Sequence, residues 1–201
     1  MKEKDVQQRL PVLVDSTQIR RIEDWDTYFL EIAVAVSWKS KDPKCPVGAV
    51  VASSGDIVVS TGFNGYPRGD FDRDRLLVEE EEKLNWICHA EANAIFNAAR
   101  AGTSLVGCKI YATKFPCLAC CHAIIQAGIA EICTHDHRYW SDDPLDLADE
   151  RLGLEQHDRK RTLLRASGVR VNAPFHPDWR IAVPLQPTPR VTWAEWNRAS
   201  A

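Results

Sequence analysis

The chain has 201 residues, a formal net charge of −3, 45% hydrophobic and 26% charged residues, the balance of one globular domain able to bury a substantial core. No apolar run approaches the roughly 20 residues that span a bilayer, and the charged start Met1-Lys2-Glu3-Lys4-Asp5 lacks the apolar core of a secretory signal, so a cytoplasmic location and no membrane partner are expected. The slightly acidic balance weighs against a nucleic-acid partner, which calls for a basic footprint, and seven cysteines without a secretion signal weigh against a disulfide framework.

Residues 1–23 read as an N-terminal arm. Asp24 is a candidate N-cap for a core helix over Trp25–Lys39, with Trp25, Phe29, Ile32, Ala33 and Val36 at helical spacing. Ser40-Lys41-Asp42-Pro43 stops it. Val47–Ala52 and Ile57–Phe63 read as a strand pair joined by the turn Ser53-Ser54-Gly55-Asp56. An irregular loop follows, Asn64-Gly65-Tyr66-Pro67-Arg68-Gly69. Here Asn64 offers an amide to a sugar hydroxyl and Arg68 a guanidinium fork to a phosphate; the bland reading of Asn64 is a turn residue. Residues 71–87 are strongly charged and fit a solvated face or lid.

A helix over His89–Arg100 is expected with Ala92, Ile95, Phe96 and Ala99 inward, ended by Gly102. Lys109–Thr113 reads as a strand, Cys117–Ala127 as a helix and Glu131–His135 as another strand. Beyond it, Arg138 and Tyr139 are candidate substrate contacts, because ligands in open α/β sheets lie outside the carboxyl ends of strands. Leu145–Ser167 reads as a charged helix with a break at Gly153, and Val169–Val171 as a last strand. The alternation of strand and helix indicates an α/β layered domain with a partly parallel sheet, over 24–173. Residues 174–201, rich in Pro and Trp, form a C-terminal extension.

Two stretches carry the chemistry. Cys88-His89-Ala90-Glu91 supplies H-x-E, and Phe115-Pro116-Cys117-Leu118-Ala119-Cys120 supplies P-C-x-x-C. His89, Cys117 and Cys120 make three ligands of the type zinc takes in a catalytic site, which leaves a fourth position open. Two cysteines three apart at a helix start lie about one turn apart, and a helix N-terminus favours the thiolate. Glu91, two residues after His89, shares no helix face with it. The two converge only on a metal off the end of that helix, which leaves Glu91 to move protons. A lone C-x-x-C also fits a redox pair; the joint pattern is that of the zinc nucleobase deaminases. Cys45 and Cys88 are candidates for a second metal, though small buried apolar roles suit them better.

With these motifs, Ser40–Pro43 before Val47-Gly48-Ala49-Val50, the 62–69 loop and Ile124–Ile129, the sequence resembles the cytidine deaminase superfamily and its deoxycytidylate (dCMP) deaminase branch. Phe115 before Pro-Cys, where tRNA adenosine and riboflavin deaminases typically have Glu, resembles that branch. The resemblance implies a three-layer α/β/α fold with a five-stranded mixed sheet, one zinc per chain and a homo-oligomer. It implies His89, Cys117 and Cys120 as zinc ligands, Glu91 as catalytic proton shuttle, and Asn64, Ala90, Tyr139, Lys44 and Arg68 as substrate-binding residues. A dCTP/dTTP effector is also implied, although Asp70-Phe71-Asp72-Arg73 departs from the Cys and short acidic turn of many relatives, which weighs against that regulation and an extra zinc.

The expected activity is zinc-dependent deamination of dCMP to dUMP with release of ammonia. The competing readings are a deaminase of another free nucleotide or base, such as dCTP or a modified cytosine, a polynucleotide cytidine or adenosine deaminase, and a zinc-containing binding subunit without catalysis.

Overall fold

The computed structural model describes residues 22–42, 44–69, 85–136 and 153–172. Residues 1–21 of the expected arm, 71–84 of the charged stretch, Arg138, Tyr139, the 145–152 part of the fourth helix and the C-terminal extension lie outside them. The described elements run α1 (Trp25–Ser37), β1 (Gly48–Ala52), β2 (Val58–Phe63), α2 (Ala90–Ala101), β3 (Lys109–Ala112), α3 (Leu118–Gln126), β4 (Glu131–Thr134), α4 (Gly153–Ala166) and β5 (Arg170–Asn172).

The strands form one sheet in the order β2-β1-β3-β4-β5. β1 is antiparallel to β2 and β3, while β3, β4 and β5 are mutually parallel neighbours. The parallel half needs crossover connections, and α3 and α4 provide them. Strand alternation sends β1 side chains to two cores. On one face Ala49, Val51, Ile110, Ala112 and Ile132 pack with residues of α2, α3 and α4. On the other, Val50, Ala52, Tyr111 and Cys133 pack with Phe29, Leu30 and Ala33 of α1. The result is the expected three-layer α/β/α arrangement with a five-stranded mixed sheet.

The Asp24 cap is present: Oδ1 accepts from the Thr27 amide at 2.7 Å. Two helix phases differ from the sequence pattern. Trp25 is 55% exposed, and α1 buries Phe29, Leu30, Ala33, Val34 and Ser37. In α2 the buried positions are Ala90, Glu91, Ala94 and Ala98, while Phe96 is 51% exposed. The helix is alanine-rich, so hydrophobicity hardly distinguishes its faces. Its phase is set by close contact with β2 at Gly62, where a Cβ would lie 2.8 Å from the Asn93 carbonyl carbon and closer still to the Ala90 carbonyl oxygen and Ala94 nitrogen.

Candidate active site

Two helix starts meet here. His89 is the residue capping α2 and Cys117 the residue capping α3, both with extended backbone. His89 Nδ1 lies 3.3 Å from Cys117 Sγ and 3.6 Å from Cys120 Sγ. The three ligand atoms all fall within 4.8 Å of one another. Tetrahedral zinc, with bonds of about 2.3 Å to sulfur and 2.0 Å to nitrogen, separates nitrogen from sulfur by roughly 3.5 Å. The spacing and the donor set therefore fit such an ion. Cys120 comes one helical turn into α3, as the C-x-x-C spacing requires, and its amide donates to Cys117 Sγ at 3.5 Å.

Glu91 belongs to the same first turn as His89, and its Oε2 accepts from Cys120 Sγ at 3.7 Å. It is 3% exposed. Burial pushes its carboxyl pKa above the ordinary value, because a dry site disfavours the charged form. The hydrogen bond to Cys117 holds His89 above its usual value, against the opposing effect of burial. Cys117, accepting from Cys120, is drawn down to about 4; Cys120, as the donor of that pair, is pushed up. The site thus gathers two cysteines, one of them with a lowered pKa, an imidazole and a buried carboxyl, the group types of metal binding and proton transfer.

Asn64 and Gly65 connect the loop to this centre. Gly65 and Cys88 exchange both backbone hydrogen bonds, at 3.1 and 2.9 Å, which sets the 64–69 loop beside His89. The Asn64 side chain differs from the expected open amide. Its Oδ1 accepts from Ser40 Oγ at 2.6 Å and the Val47 amide at 2.8 Å, while Nδ2 donates to the Cys45 carbonyl at 2.9 Å and Asp42 Oδ2 at 3.2 Å. Both lone pairs and both protons are engaged, so in this structure the residue ties the 40–47 loop to the end of β2. Ser40 and Asp42 are parts of that tie which the sequence reading did not assign. Asp42 Oδ1 also accepts from the amides of Lys44 and Cys45, a local turn pattern typical of aspartate.

Lys44 is exposed on this loop, and Ala90, between His89 and Glu91 in the chain, is fully buried. Arg68 Nη2 donates to Asn97 Oδ1 at 2.6 Å, and Asn97 Nδ2 donates to the Thr61 carbonyl, so the arginine leans on α2. Behind the cysteines, Asp136 Oδ2 accepts from the Phe115 amide at 3.1 Å. Cys45 and Cys88 are half-buried and join no close group of metal-ligating atoms among the described residues.

A second group of potential ligand atoms, Asp26, Glu131 and Cys133, lies at the start of α1 and of β4. Its carboxylates are engaged. Asp26 accepts from Tyr111 and Asn172 and pairs with Lys109, while Glu131 pairs with Lys109 and Arg170. It is an ion-pair network joining α1 to three strands. Among the described residues no helix is long and apolar enough to cross a membrane.

Comparison with known proteins bears on the family of the chain. Human deoxycytidylate deaminase is 37% identical over 125 residues, covering 60% of this chain and 69% of that protein. An uncharacterized deaminase in the luxG 3′ region of Aliivibrio fischeri is 44% identical over 111 residues, covering 55% and 72%. The crystal structure of dCMP deaminase from the cyanophage S-TIM5 in complex with dCMP and dUMP shares the fold, with a TM-score of 0.54 at 22% identity over 76% of this chain and 98% of that one. Residues 23–136, which carry both motifs and the antiparallel half of the sheet, match the family described as the cytidine and deoxycytidylate deaminase zinc-binding region, and the chain belongs to that family.

Proposed function

We propose that this chain catalyses the zinc-dependent hydrolytic deamination of dCMP to dUMP, releasing ammonia. The observation that carries the reading is the convergence of His89 Nδ1, Cys117 Sγ and Cys120 Sγ, with the buried Glu91 carboxyl against Cys120. The relatives named deoxycytidylate deaminase support the choice of substrate. His89, Cys117 and Cys120 would hold zinc, which when bound supplies the Lewis acidity that makes water a nucleophile near neutral pH.

Glu91 handles the protons. It takes one from water as the oxygen adds to C4 of the cytosine, and passes it to ring N3. It then takes the second proton from the C4 hydroxyl and delivers it to the exocyclic amine, so that the C4–N bond breaks, the C4 carbonyl forms and ammonia leaves. Its raised pKa suits a group that must accept and return a proton in one cycle. Ala90 packs against the base between the two motif residues. Lys44 and Arg68 supply cationic contacts for the phosphate; a guanidinium carries five donors, so the Asn97 bond leaves capacity. Asn64 acts on the sugar end by holding the 40–47 loop, and Tyr139 joins from beyond β4. The enzyme works as a homo-oligomer.

The test is product formation, by mass, from deoxycytidine, dCMP, dCTP, CMP and a cytosine-containing single strand, with wild type and Glu91→Gln. Preference for dCMP, with a loss on the order of 100- to 10,000-fold in the variant at unchanged zinc content, is expected. Turnover of the strand alone, or an active Glu91→Gln enzyme, refutes the reading.

A further inference from the structure

Lys160 has no part in the chemistry above, yet it is 3% exposed. It belongs to α4, which supplies none of the proposed metal ligands. Its Nζ lies 5.2 Å from the centroid of the Phe115 ring, and Phe115 is itself 6% exposed, two residues before Cys117. The backbone of Phe115 is held from another side: its amide donates to Asp136 Oδ2 at 3.1 Å, and the Asp136 amide donates in turn to Thr134 Oγ1 at 3.1 Å. One residue on, the Pro116 carbonyl accepts from Cys121 Sγ at 3.7 Å. The segment between β3 and α3 is therefore gripped by ring, by amide and by carbonyl just before it delivers its two sulfurs.

Packing alone does not call for a lysine here. A buried ammonium carries a desolvation penalty, and apolar replacements for buried charges are often neutral or stabilising. Facing an aromatic ring in a dry setting is where a cation gains most from it. Outer residues that orient metal ligands commonly change metal affinity by about 10- to 100-fold when removed. We infer that Lys160 and Asp136 are positioning residues of the metal centre, clamping Phe115 by its ring and its amide so that Cys117 and Cys120 hold their sulfurs at the spacing zinc needs. The device joins α4, far along the chain, to a site built from α2 and α3. It rests on the zinc reading of His89, Cys117 and Cys120.

The experiment measures zinc affinity by chelator competition, and the sulfur-to-metal absorption of the cobalt(II)-substituted protein, in the full chain. Lys160→Met should weaken zinc by about tenfold or more and shift the cobalt spectrum, while Lys160→Arg, which keeps a cation able to face the ring, should lose clearly less affinity than Lys160→Met. Wild-type affinity and spectrum in Lys160→Met overturn the clamp, as does an equal loss in Lys160→Arg, which would mark a packing role only. Should Lys160→Met fail to fold, Phe115→Leu carries the same test: weaker zinc supports the clamp and unchanged zinc overturns it. Failure of the wild-type chain to take up zinc overturns the metal reading itself, and this inference with it.

Discussion

Gly62→Ala tests how the site is positioned without substituting any residue proposed to act in it. A Cβ at Gly62 would meet the backbone of α2 across Ala90, Asn93 and Ala94, with the Asn93 carbonyl carbon at 2.8 Å and two other atoms nearer. Ordinary contact begins near 3.4 Å, and backbone cannot rotate aside as a flexible side chain can. The first turn of α2 must withdraw by about 1 Å, and overpacking of this kind costs roughly 1–3 kcal/mol. That turn carries Glu91 and follows directly on His89. A displacement of about 1 Å at a reacting group lowers turnover by about 100-fold, so kcat should fall much further than stability does. The contrast is Gly48→Ala, where the Cβ would strike α1 at Ala33 and Ser37 on the opposite face of the sheet. That variant should lose a comparable amount of stability while its folded fraction keeps near-normal kcat. Steady-state deamination of dCMP is measured well below both melting temperatures, with zinc content checked. Equal kcat in the two variants refutes the positional argument, because it would show that the α2 seam does not set the geometry of Glu91.

Three further outcomes are expected. Cys117→Ser should lose most of its bound zinc, and its melting temperature should no longer rise on zinc addition as that of wild type does, since a ligand that binds only the folded state stabilises it; metal analysis with thermal melts checks both. Asn64→Ala strips partners from Ser40, Val47, Cys45 and Asp42, at about 1–3 kcal/mol for each buried group left unsatisfied, and its KM for dCMP should rise more than kcat falls. Alkaline stability should depend on Lys109. Burial lowers its pKa, but Asp26 and Glu131 more than offset this and leave it raised. A raised folded-state pKa contributes stability that is fully present below the unfolded value near 10.4 and is lost as pH rises through the folded one. Melts from pH 8 to 12 should show that loss, and Lys109→Met should flatten it.

Most of the fold was legible because the strands are short, apolar and bounded by turn residues. Helix phase was harder. In α1 the pattern points Trp25 inward, yet the face that meets the sheet runs through Phe29, Leu30, Ala33, Val34 and Ser37. Two of those five are small, and small residues give weak contrast. In α2 the error has the same origin, with Gly62 deciding which alanines face the sheet. A single glycine in β2 reads as a turn or bulge from sequence. Its use as the socket for a helix depends on the distance between two elements, which no local pattern encodes.

The candidate site divides along a physical line. Zinc restricts its ligands to a few residue types at a fixed separation, so His89, Cys117 and Cys120 can be read from type and spacing, and their sulfur–nitrogen distances match that restriction. Glu91 follows from the H-x-E spacing, because residues two apart share no helix face, and its burial is what the fold adds. Polar residues around the mouth are under no such restriction. An amide satisfies a loop as readily as a sugar hydroxyl, and Asn64 bonds Ser40, Asp42, Cys45 and Val47, up to 24 positions away in the chain. Those partners come from a segment whose path only the folded chain defines. Residue type and spacing therefore do not distinguish a residue that touches substrate from one that holds the loop, and the bonds Asn64 makes in the fold show that it ties that loop to the end of β2.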